Sequence, residues 1–164
     1  MTRSTLRHRI SAAAVALLAA CQQPAPAPMA PPPVDIQPGY LFLLSSPLAF
    51  PPDNPELLFQ NLQIVTAGSL SPDMPYCRLR PERGAPGAIA PGSLTVVAVT
   101  YDERGSGTAG GMASVTRVAL STAAGGPGYL LACGWPAGAS YQGFLTAQQI
   151  FNAIGGKFSM GPPL

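Results

Sequence analysis

Four carboxylates, Glu56, Asp73, Asp102 and Glu103, are the groups of this 164-residue chain best suited to general acid–base chemistry. Cleaving a glycosidic polymer with such groups requires two of them to converge on one bond. Asp102 and Glu103 are adjacent, so along a continuing strand they point to opposite faces and form no converging pair. They also lack the spacing of a calcium-binding loop. The only histidine, His8, lies among Arg3, Arg7 and Arg9, just ahead of an apolar run. That layout is a cleaved secretory signal. A mature chain without His8 has no imidazole for a Ser-His-Asp or Cys-His nucleophile, or for a His-containing zinc site. Lys157, the sole lysine, sits beside Gly155 and Gly156 with no serine motif near it. No catalytic residue, metal or cofactor is therefore expected.

Three other groupings have the right residue types for binding. Residues 105–110 match G-x-G-x-x-G by letters, but a dinucleotide fingerprint must open a helix within a βαβ unit. Here the strand-like residues 113–122 follow, so a hairpin loop is the expected reading. Arg78, Arg80 and Arg83 form a small basic cluster with Glu82 among them, which reads as a solvated strand edge ahead of an anion site. Trp135, the single tryptophan, follows Cys133 by two residues. It is expected to pack over a disulfide. Exposed beside Tyr141 and Phe144 instead, it would form a contact patch for a partner or a glycan.

The N-terminus fixes where these groups act. Residues 10–20 are an apolar stretch of 11 residues, whereas a bilayer core needs roughly 20. A cleaved signal fits and a spanning helix does not. The stretch ends Leu18-Ala19-Ala20-Cys21, which resembles the lipobox of bacterial lipoproteins. The resemblance covers about the first 21 residues. It implies that Cys21 becomes the first residue of the mature chain and carries a diacylglycerol thioether and an N-acyl chain such as palmitate. Several acyl chains hold a protein far more firmly than one. By the sorting rule of such lipoproteins, Gln22 in place of Asp favours the outer membrane over the inner.

Three segments are expected: the signal at 1–20, a lipidated Cys21 with a Pro/Ala-rich tether at 21–38, and a single globular domain at 39–164. Proline fixes φ and removes a donor, so the tether favours polyproline II. Its reach is on the order of 50 Å. After Ala20 six basic groups face seven acidic ones, a net charge of −1, which excludes a basic footprint for nucleic acid. Cys77 and Cys133 remain as an even pair in an oxidising compartment and are expected to form a disulfide.

Positioning these groups falls to short strands. Residues 76–80 and 113–122 alternate, residues 93–101 are rich in β-branched residues, and 129–133 follow a Gly/Pro turn as another strand. Residues 62–65 lean to strand, 45–55 to loop, and 157–160 to a last strand. Asn54-Pro55 predicts a helical turn over 56–60. Thr146 and Gln149 predict a capping box, with Leu145 and Ile150 as its staple and Gly155 or Gly156 as an αL terminator. The expected class is α+β, a small antiparallel sheet with one C-terminal helix, and the alternative is an all-β sandwich.

These readings converge on a membrane-anchored bacterial envelope lipoprotein. Its domain binds or braces another envelope component, a protein or a glycan, without catalysis. The second reading is an envelope enzyme acting on cell-wall polymers through the carboxylates. A pocket bringing two of them together with a raised pKa would favour it.

Overall fold

A computed structural model describes residues 36–83, 85, 87–103, 111–122, 128–140 and 143–161. Cys21, the tether up to residue 35, the glycine motif at 105–110 and Tyr141 lie outside them. In chain order the elements are β1 (Leu41–Leu44), β2 (Leu48–Ala49), β3 (Leu57–Gln60), β4 (Gln63–Val65), β5 (Tyr76–Pro81), β6 (Ala88–Ile89), β7 (Gly92–Asp102), β8 (Met112–Thr122), β9 (Gly128–Pro136), α1 (Ala147–Ile154) and β10 (Phe158–Gly161).

Eight strands make one antiparallel sheet in the order β10-β1-β7-β8-β9-β5-β3-β4, while β2 and β6 pair separately. With 51% strand and 10% helix, the described structure is closer to all-β than to the α+β class expected from sequence. Nor is it a face-to-face sandwich: the large sheet curls into a half-barrel. Long strands accumulate right-handed twist, and bulges sharpen it. The 11-residue β7 and β8 have such register shifts, between Val96 and Ala98 and between Ala113 and Thr116.

The curl is legible in the core. Phe158 on the edge strand β10 and Phe59 on β3, near the opposite edge, have ring centroids 6.1 Å apart in an edge-on pair. Phe42 on β1 meets Phe158 at 6.2 Å. Helix α1 packs against β10, β3 and β5, so it bridges the mouth of the curled sheet. The helix turns Ile150, Ala153 and Ile154 inward. Leu48 and Ile89 of the separate pair, and Phe50 just after β2, enter the same core, and Phe50 stacks on Tyr129 at 6.0 Å.

Local signals decide most elements. On β5, Cys77 and Leu79 are buried while Arg78 and Arg80 face outward, the alternation expected of a half-buried strand. Within the 56–60 segment, Leu57–Gln60 form strand β3 and not a helical turn, because Leu57 and Phe59 two apart both reach the core. That period overrides the Asn54-Pro55 cue. The capping box forms as predicted: the Thr146 hydroxyl accepts from the Gln149 N–H, and the Gln149 side chain accepts from the Thr146 N–H at 2.9 Å.

The helix terminates without an αL glycine, since Gly155 keeps right-handed angles of φ −62° and ψ −9°. Gly156 is required for a different reason. A Cβ there would collide with the backbone carbonyl of Leu62.

Candidate functional site

That close approach marks one wall of a cleft of about 350 Å³. Its lining comes from four places: the β3–β4 turn (Asn61, Leu62), the lead into β5 (Met74, Pro75), Trp135 on β9, and Gln149, Asn152 and Ala153 on α1. None of these residues is charged.

Each wall is held from behind. Gln60, only 4% exposed, donates from Nε2 to the carbonyls of Ser71 and Met74 at 3.1 and 2.9 Å. Its Oε1 accepts the Ser71 N–H at 2.7 Å. One carboxamide thereby fixes the loop that carries Met74. Gln149 is oriented by the capping box, and Asn152 Oδ1 accepts from Gln148 Nε2 at 2.9 Å. Trp135 packs against the core cluster that contains Cys77 and Cys133.

Of the three described non-glycine residues with positive φ, Ser114 lies on β8 at its register shift and the other two lie at the cleft's edge. Asn61 and Leu62 form a two-residue hairpin turn between Gln60 and Gln63, with φ of 50° and 65°. Two positive φ values are the mark of a type I′ turn, which favours Asn first and Gly second. Asn61 fits. Leu62 does not: a left-handed backbone costs a residue with a Cβ roughly 1–2 kcal/mol. Leu62 nevertheless stands 46% exposed on the cleft.

A second recess, of about 250 Å³, lies on the outer face of the sheet. Cross-strand register places Leu58, Arg78, Ala132, Arg117 and Thr100 in one row. The small Ala132 between two arginines leaves room, while Met112 and Val115 supply an apolar floor. Arg117 Nη2 lies 3.2 Å from Asp102 Oδ2, and Arg78 Nε lies 3.9 Å from Glu56 Oε1. Arg78 also donates to the Tyr76 hydroxyl at 3.2 Å and lies over that ring.

Arg78 and Arg80 therefore sit on the face of β5, an interior strand, and not on a strand edge. Arg117, distant in sequence, joins them, whereas Arg83 is exposed and does not line the recess.

Glu56 and Asp102 share this recess, and Glu103 and Asp73 do not line it. Among the described residues no group of three or more His, Cys, Asp or Glu could hold a metal ion. Strands β7 and β8, which flank the glycine motif, pair antiparallel, and this excludes a βαβ setting for it.

Cys77 and Cys133 form a disulfide across directly paired positions of β5 and β9. Of the patch residues, Trp135 lines the cleft and Tyr141 lies outside the described residues. Phe144 is 4% exposed and meets Tyr101 edge-on at 5.2 Å, so its ring is committed to the interior. The sequence gives Leu62 and Gln149 only structural roles and assigns Met74 and Asn152 none, so none of the four was expected at a site. The available signal was Asn61-Leu62 between two glutamines, a hairpin turn with an ill-suited second residue.

Compared with known proteins, the chain matches no family model, no curated protein and no solved structure.

Proposed function

We propose that this chain is a bacterial envelope lipoprotein, anchored through Cys21 at the outer membrane, whose β domain binds another envelope component through the Trp135 cleft. The anchor rests on the Leu18-Ala19-Ala20-Cys21 ending. The binding role is carried by one observation: Leu62 is held at positive φ and left 46% exposed beside Trp135. Backbone strain that local sequence does not require clusters at functional sites. The test is capture from membranes with the native lipidated protein and its Trp135→Ala variant. The reading predicts an envelope component retained by the native protein and lost from the variant. Equal retention by both would contradict it. Location is tested by Cys21→Ala, which should release the protein from the membrane and remove the acyl mass.

One observation favours the enzymatic reading, since Glu56 and Asp102 line the same recess. Each, however, faces an arginine, Arg78 and Arg117 respectively. Polymer cleavage abolished by Glu56→Gln would establish that reading.

A further inference from the structure

We infer that the ligand of the Trp135 cleft is a neutral glycan bearing acetamido groups. This inference rests on the cleft being the module's binding site, as proposed above.

The lining selects against ions. A charged ligand entering the cleft would lose hydration and meet no opposite charge among the described residues, because every one of them that lines it is uncharged. The carboxylates and guanidinium groups of the outer-face recess are not part of this lining. A purely apolar ligand fits no better, since it would cover the side-chain amide donors of Gln149 and Asn152 and offer them no acceptor.

What remains is a neutral molecule with one apolar face and a rim of hydrogen-bonding groups. A pyranose ring has that form. Its axial C–H groups are electropositive and suit the negative face of an indole, supplied by Trp135, while Leu62 and Met74 extend the apolar surface.

The carboxamides refine the choice. Gln149 Oε1 is taken up by the capping box and Asn152 Oδ1 by Gln148. These bonds leave the Nε2 and Nδ2 amines of Gln149 and Asn152 as donors. Among neutral sugar substituents the acetamido carbonyl is the strongest acceptor for such donors, and its methyl group suits Met74. The volume, about 350 Å³, lies at the small end of ligand sites. It therefore fits a short glycan segment and not a broad polymer surface.

Leu62 completes the reasoning. Glycine would relieve the turn, yet the chain places an exposed leucine there. A side chain retained against backbone preference at a cleft mouth is explained by contact with the ligand.

Trp135 is the only tryptophan, so its emission reports on the cleft alone. The experiment titrates the full lipidated protein, solubilised in detergent, with chitotriose, cellotriose and inorganic phosphate. Chitotriose should produce a saturable emission change. Cellotriose, with hydroxyls replacing the acetamido groups, should bind at least tenfold more weakly, and phosphate should give no response. Asn152→Ala and Leu62→Gly should each weaken chitotriose at least tenfold while circular dichroism stays native.

A silent chitotriose titration of folded protein, or an equal response to cellotriose or phosphate, overturns the inference. If chitotriose is silent but Trp135→Ala still abolishes capture of an envelope component, the glycan class fails and the binding module stands. If both are negative, both fail.

Discussion

The backbone N–H of Leu62 donates to the carbonyl oxygens of Asn152 and Ala153, each at 3.0 Å. A hairpin tip thus satisfies carbonyls at the end of α1 that the helix itself leaves without donors. The bond also sets the spacing between the two walls of the cleft. It explains why Gly156 must lack a Cβ and why the turn is held in one geometry.

Leu62→Gly should keep this bond and remove the strain. Unfolding in urea is expected to show a gain of about 1 kcal/mol, which raises Tm by a few degrees. The same variant should bind more weakly. A stabilised protein with impaired binding separates a functional leucine from a structural one.

Gln60→Ala should loosen the other wall. Three hydrogen bonds disappear, and the Ser71 N–H loses its partner. The expected cost is about 2 kcal/mol by urea unfolding. Hydrogen exchange should rise in residues 70–75 before it rises in β8 or β9.

The Cys77–Cys133 bridge closes a separation of 56 residues. In the chain-entropy model its removal costs about 4 kcal/mol. The paired Cys77→Ala, Cys133→Ala variant should show this loss in denaturant. Thiol labelling of the native protein should be negligible until reductant is added.

Alkaline pH should weaken the fold through two tyrosines. Burial raises the Tyr101 and Tyr129 hydroxyls above their ordinary value of 10.0. The unfolded chain therefore releases these protons first as pH rises. Above pH 10 the folded state binds more protons than the unfolded state, so stability falls with rising pH. Below pH 10 this contribution is fully present. Tyr101→Phe and Tyr129→Phe should each flatten the decline in a pH series of urea unfolding curves.

Much of the sheet was legible because strand periodicity is local. The alternation of residues 76–80 and 113–122, the β-branched content of 93–101 and the turn ahead of 129–133 mark out β5, β8, β7 and β9. The Thr146–Gln149 cap was equally plain, and the exported setting pointed to the disulfide. Curvature was not legible, since the Phe59–Phe158 contact joins strands far apart in sheet order. A well-marked helix weighed too heavily in the α+β expectation. Of the site, Trp135 stood out as the only tryptophan. Its neighbours Leu62, Met74 and Asn152 come from three separate segments that only the curl and the helix bring together.

The most direct measurement of the central claim, that the Trp135 cleft is the binding surface, is photo-crosslinking in intact cells. A benzoyl-phenylalanine would be placed at Met74 in the cleft and, as a control, at Val97, which is 54% exposed and does not line it. The account predicts a specific adduct from position 74, abolished by Trp135→Ala, and none from position 97. Adducts from 97 alone, or from 74 irrespective of Trp135, would contradict it.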